Sequence, residues 1–223
     1  MVLKRSLAVA GLLMTMALGA QAADKVLIGA FDVGPGGNPQ KFNPLTASAG
    51  FTWYNKYFNT LALYDVNFER ISGDLAQGWS VSPDGKAITF NLRKGVKFHN
   101  GRELKSADVK YTFERLVNPE TQSPGQGYYA VIEGFDEMVS GAADGLSGVT
   151  TPDDYTVVIN LTRPNAVFLN VLAMHFSSIV PQEEVEKYGA DWGRNPVGTG
   201  AYKITEWTLG QRIVFERNPD YQH

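Results

Sequence analysis

The sequence predicts a mixed α/β (α+β) fold, in which strand and helix patterns interleave without strict βαβ regularity. Three observations carry that expectation. Residues 79–81 and 87–92 are strand-like runs joined by Ser82-Pro83-Asp84-Gly85-Lys86, whose Pro-Asp-Gly core supplies the dihedrals of a hairpin turn. From Ser106, read as an N-cap, Val109, Phe113, Leu116 and Val117 recur at helical spacing until Asn118-Pro119 stops the helix. Residues 155–161 set Val157, Ile159 and Leu161 on one side of a strand and polar or outward positions on the other.

The remaining elements follow in chain order. Val26, Leu27 and Ile28 give a short buried strand over 25–31, which ends in the Gly/Pro-rich loop 34–39. Tyr54, Tyr57, Phe58 and Leu61 fall on one face of a helix over 52–61. His99-Asn100-Gly101 is a turn. The polar stretch 120–127 reads as an exposed excursion, and 129–139 as a strand. Pro164 opens a helix over 165–174, a shorter helix spans 182–188, and two strands, 201–205 and 212–216, close the chain through Leu209-Gly210-Gln211.

The N-terminus has the order of a secretory signal peptide: Lys4 and Arg5, an apolar run from Leu7 to Ala20, and the small-residue site Ala20-Gln21-Ala22, with cleavage after Ala22. The apolar run is shorter than a bilayer crossing requires and is diluted by Gly11, Thr15 and Gly19, and no later stretch approaches that length. With no cysteine, the chain has no disulfide scaffold, no thiol nucleophile and no cysteine for lipid attachment. The expected product is therefore soluble and freely diffusing, which places it in the periplasm behind a second membrane. The net charge of −3 becomes more negative once Lys4 and Arg5 are removed, so nothing attracts nucleic acid or anionic lipid. At 43% hydrophobic and 12% aromatic residues, the mature chain can bury a full core.

No catalytic pattern emerges from the residues. His99, His175 and His223 are scattered and share no metal-ligand spacing. Neither G-x-S-x-G nor S-x-x-K occurs. The glycines at 34–37 lack the lysine ending of a phosphate loop, and Gly198-Thr199-Gly200 lacks a third glycine at dinucleotide spacing. The pairs Asp153-Asp154 and Glu183-Glu184 lie in polar, solvated segments, and acid–base chemistry needs a desolvated cleft, which the sequence does not show. The expectation is a protein that is not an enzyme and has no metal or cofactor. Among the aromatics, Tyr54, Tyr57 and Phe58 belong to the core face, whereas Phe51 and Trp53 fall off that stripe and suit either a core or a ligand wall.

One long ordered run narrows the reading. Residues 76–86 (AQGWSVSPDGK), the strand 88–92, 93–101 (RKGVKFHNG) and Ser106-Ala107-Asp108-Val109 resemble the peptide/nickel solute-binding proteins of family 5, nearest to their dipeptide-binding members. Thr162-Arg163-Pro164, Phe168-Leu169, Val171-Leu172-Ala173, Pro196-Val197-Gly198-Thr199-Gly200-Ala201-Tyr202 and Asn218-Pro219-Asp220-Tyr221 resemble further landmarks of that family. Ala201 stands where the family usually has proline, and Gln222 where it usually has tryptophan.

The resemblance implies a periplasmic-binding-protein type II-like fold, closing on its ligand by hinge motion and delivering it to the permease subunits of an ABC importer without covalent chemistry. It implies short peptides as ligands, held by main-chain hydrogen bonds, with a nickel chelate, haem or another solute as the alternative. Relatives are more than twice as long, so the chain is read as an N-terminal fragment, monomeric, comprising the first lobe with its accessory subdomain and missing the second lobe. On that reading 1–22 is the signal peptide, 23–60 and 196–223 form the ligand-side domain, and 61–195 form the accessory subdomain. The expected cleft-facing positions are Ser48, Ala49, Gly50, Phe51, Trp53, Gly198, Thr199 and Gly200, where glycine either lets main chain approach a ligand or only serves a turn. A different class remains open: a stand-alone lobe with weak chaperone-like peptide binding and no transport role.

Overall fold

The computed structural model describes residues 41–47 and 51–221, apart from the side chains of Phe51 and Thr52. The expected signal peptide, the strand over 25–31 and the loop 34–39 lie outside the described residues, as do Ser48, Ala49 and Gly50.

The largest sheet among the described residues has four strands. It contains β3 (Ala76–Val81), β4 (Ala87–Leu92), β5 (Val149–Asp153) and β6 (Thr156–Asn160) in the order β3-β4-β6-β5. The turn between β3 and β4 closes as its sequence requires. Gly85 takes φ +71°, a left-handed value that glycine adopts at little cost, and Asp84 accepts hydrogen bonds from the Ser82 hydroxyl and the Lys86 amide. Register pairs Ile88 with Ile159 and Phe90 with Val157, which puts these four buried side chains on one face.

That face is covered by α2 (Ser106–Val117), which contacts β5 and β6 and buries Val109, Phe113, Leu116 and Val117. The helix begins one residue away from its expected cap. Lys105 is the N-cap, and Asp108 reaches back to accept its amide at 2.8 Å, while the Ser106 hydroxyl donates to the Asp153 carbonyl.

Two antiparallel pairs flank this unit: β1 (Ala62–Tyr64) with β2 (Ile71–Gly73), and β7 (Tyr202–Thr208) with β8 (Arg212–Arg217). Every strand pairing among the described residues is antiparallel. The helix α1 (Phe51–Tyr57) packs on β7 and is shorter than its periodicity suggested. Beyond Tyr57 the main chain serves tertiary partners: the Asn59 carbonyl accepts from Ile179, the Thr60 carbonyl from Leu75, and the Leu61 carbonyl from Asp74 and Ala76. Tyr54, Tyr57, Phe58 and Leu61 are nevertheless all buried, as the apolar stripe required.

Other expectations need correction. Residues 129–139 form no strand: Gln126–Tyr129 is a 3-10 turn, Gly134 takes φ +81°, and Phe135–Val139 is the short helix α3. Tyr129, Ile132, Phe135 and Met138 are buried at three-residue spacing, the period of 3-10 turns and helix and not the two-residue alternation of a strand. The expected helix 165–174 is reduced to α4 (Phe168–Leu172), because the Asn165 side chain accepts the Val167 amide and holds the preceding residues in a turn. The excursion 120–127 is tethered at its centre, where the buried Ser123 hydroxyl donates to the Leu45 carbonyl and Gly125 lies under the Phe176 ring. The last expected helix appears as α5 (Gln182–Tyr188) with the bounds read from the sequence.

Candidate functional site

Segments far apart in sequence converge below the end of α1. The turn 98–101, the loop 196–200 and residues 218–221 meet there, and each belongs to one of the landmark runs noted above. His99 is the clamp between the first two. Its main-chain amide donates to the Gly198 carbonyl at 2.8 Å, its Nε2 lies 3.0 Å from the Gly200 carbonyl, and its Nδ1 receives the Gly198 amide at 3.4 Å. This pattern fixes the tautomer with the proton on Nε2. Burial pushes the imidazole pKa down to about 4, against the raising effect of the bond to Gly200, and the Lys203 charge lowers it further, so the ring is neutral at physiological pH. The edge of Tyr57 packs on it with ring centroids 4.5 Å apart.

The loop 198–200 is buried, and its glycines are required by the protein's own backbone. A Cβ on Gly198 would lie 2.2 Å from the Tyr57 carbonyl oxygen, and one on Gly200 would lie 2.4 Å from the Tyr57 carbonyl carbon. Neither residue needs a positive φ. The Gly200 amide donates to the Tyr57 carbonyl at 2.8 Å, and the Tyr57 hydroxyl to the Pro196 carbonyl at 2.6 Å. Asn218 adds a third hold through its side-chain amide on the Gly200 carbonyl at 3.1 Å.

Beneath Thr199 runs a buried polar network that the sequence reading did not single out. The Thr199 hydroxyl donates to Asn59 Oδ1 at 2.9 Å, Asn59 Nδ2 donates to the Asp74 carboxylate at 2.9 and 3.1 Å, and the Thr60 amide donates to the same carboxylate at 3.0 Å. Arg93 Nε closes on the Asp74 carbonyl at 2.7 Å. Burial pushes the Asp74 pKa up to about 6, partly offset by the Thr60 and Asn59 hydrogen bonds and by the Arg93 charge. Tyr221 joins the network through the Asn59 side chain. Asn59 and Asp74 carried no periodic or motif signal, because their roles arise only from tertiary pairing.

Thr199, Asp220 and Tyr221, with residues 94–97, line a shallow open recess. The other expected cleft segment meets this region through α1. Trp53, near its start, stacks on Phe215 of β8 with centroids 5.9 Å apart, while Tyr57, at its end, touches both Gly198 and Gly200. Phe51 opens the same helix. An ion-pair bracket holds the neighbouring turn: Arg102 binds Asp108 of α2 at 2.6 Å and Glu183 of α5 at 2.5 Å.

This mixed α/β fold matches that of periplasmic binding proteins. The chain belongs to the bacterial extracellular solute-binding proteins, family 5, whose model (family 5 Middle) matches residues 70–223. It is 38% identical over 200 residues to a candidate ABC transporter peptide-binding protein of Brucella ovis, covering 87% of this chain and 35% of that protein. It is 34% identical over 201 residues to the dipeptide-binding protein of Escherichia coli, covering 83% of this chain and 37% of that protein. Among solved structures, it is similar to Haemophilus influenzae OppA in complex with the peptide RPPGFSPFR, with a TM-score of 0.77, 32% identity, and coverage of 83% of this chain and 37% of that one. The chain thus spans roughly a third of the length of the curated relatives it matches. The family and these relatives are binding proteins. No helix among the described residues is long and apolar enough to cross a membrane.

Proposed function

We propose that the chain serves as the substrate-binding component of an ABC importer, capturing short peptides in the periplasm and passing them to the permease. The observation that carries this reading is the similarity, along more than four-fifths of the chain, to proteins named for peptide and dipeptide binding. The basic, apolar and small-residue order of 1–22 supports export by a cleaved signal peptide, and the reading takes the exported protein as a monomer.

In this account the chain contributes the first lobe of a two-lobed clamp, with 23–60 and 196–223 on the ligand side and 61–195 as the accessory subdomain. Ser48, Ala49, Gly50, Phe51 and Trp53 form one lip of the cleft and Gly198, Thr199 and Gly200 the other. The packing of Tyr57 of α1 against Gly198 and Gly200 supports setting Phe51 and Trp53, on the same helix, near that loop. A peptide held through its own main chain would be bound with tolerance of side-chain identity.

The test is genetic. A strain that requires one amino acid is supplied with it only as a dipeptide, and the gene for this protein is deleted. The reading predicts lost growth, restored by the gene on a plasmid and by the free amino acid. Undiminished growth on every dipeptide, with loss of uptake of a nickel chelate or haem instead, overturns the peptide assignment.

A further inference from the structure

Asn100-Gly101 is the only Asn-Gly step in the sequence, and the structure sets it in the turn that carries the His99 clamp. Asn-Gly is the step at which a glycine amide most readily reaches the neighbouring carboxamide, because no side chain hinders the approach. Asn100 is exposed, Gly101 takes φ +92°, and open space surrounds the position where a Cβ would be. Folding nevertheless restrains the reacting atoms. The Gly101 amide is committed to the Phe98 carbonyl at 2.8 Å, Asn100 Oδ1 accepts the Arg102 amide at 3.1 Å, and Asn100 Nδ2 points to Glu183 and Glu184 of α5 at 3.4 and 3.2 Å.

We propose that Asn100 is a site of spontaneous deamidation and isomerisation, gated by opening of the 98–102 turn, and that isoaspartate at this position unclamps the loop 196–200. In the opened turn the Gly101 nitrogen attacks the Asn100 side-chain carbonyl carbon. The amide N–H proton passes to water and the carboxamide nitrogen departs as ammonia, leaving a cyclic succinimide. Water then adds to one ring carbonyl or the other and opens the ring to aspartate or isoaspartate.

The isoaspartate product inserts an extra methylene into the main chain between residues 100 and 101. The hydrogen bonds from Phe98 to Arg102 and from Gly101 to Phe98 depend on the ordinary chain length there, as does the antiparallel bridge of Lys97 to Glu103. With that register lost, Arg102 no longer sits over the Phe98 ring, 4.9 Å away, and His99 leaves its place against Gly198 and Gly200.

The experiment incubates the whole chain, folded and in urea, at one mildly alkaline pH, and follows the tryptic peptide 98–102 for replacement of its amide by a hydroxyl. Conversion in the folded chain should be about tenfold to a hundredfold slower than in urea, since this turn must first open. Glu183→Ala, remote in sequence and on an exposed helix face, should raise the folded rate at least about threefold and leave the rate in urea unchanged, since it removes one of the two carboxylates that hold the Asn100 amide and loosens Arg102. Equal rates in the two states, or no folded conversion over about a hundred half-lives of the unfolded reaction, overturns the gated site. Native-state hydrogen exchange on the separated isoaspartate form completes the test. Faster exchange of the Gly200 amide than in the unmodified chain supports unclamping, and identical exchange refutes it.

Discussion

His99→Phe separates the hydrogen bonding of the clamp from its packing. Phenylalanine keeps an aromatic ring against Tyr57 but removes the bond to the Gly200 carbonyl and the acceptor for the Gly198 amide. Gly200 keeps its bond from Asn218, so only the Gly198 amide loses its side-chain partner. Two such bonds near neutral pH are worth about 2 kcal/mol together. The variant also removes a titration. His99 moves from an ordinary value of 6.5 in the unfolded chain to about 4 in the fold, which corresponds to about 3 kcal/mol of pH-dependent stability. Because the folded value is depressed, that stability is fully present above pH 6.5 and is lost as the pH falls toward 4. Urea unfolding of both proteins across this window, at constant ionic strength, gives the difference directly, and the contributions of His175 and Asp74 cancel in it. The wild type should lead by about 2 kcal/mol at neutral pH and lose that lead by pH 4. A difference that stays constant across the window refutes the buried neutral imidazole.

Gly200→Ala should cost about 2–3 kcal/mol in the same assay, because its methyl group would meet the backbone of Tyr57 and Lys56, whereas Gly127→Ala, which faces open space, should be close to neutral. Asp74→Asn tests the opposite pH sign. The carboxyl pKa rises from 3.8 to about 6 on folding, so wild-type stability relative to the variant should fall by about 2 kcal/mol as the pH rises from 4 through 6, and a rise instead would contradict desolvation as the dominant cause. Residues 23–223 alone should bind short peptides with a Kd no tighter than about 100 μM, since one lobe buries only part of a ligand's surface. Low-micromolar binding by that segment in calorimetry would show that it holds a complete site.

Local order was legible where a short stretch of sequence contains its own instructions. The hairpins β3–β4 and β7–β8 and the helices α2 and α5 were readable because turn residues and apolar spacing sit within one window. The strands β1, β2 and β5 were not, because three to five residues with mixed burial give no usable alternation. The stretch 129–139 was misread because its apolar residues fit more than one periodicity, and the left-handed Gly134 decides between them. At the site, the resemblance drew attention to 93–101, 196–202 and 218–221, but not to their convergence. The glycines of 198–200 were weighed as ligand-facing or turn residues. Their steric need comes from α1, a contact across more than 140 residues of sequence that no local pattern encodes. The Asn59–Asp74 pair was missed for the same reason.

The most direct measurement of the central claim is calorimetric titration of the protein encoded by the complete reading frame with a panel of di- to nonapeptides, followed by mass analysis of the recovered ligand. The account predicts saturable binding of several peptides unrelated in side chain, all recovered intact. Cleavage of the peptides, or binding of a nickel chelate or haem with no response to any peptide, would contradict it.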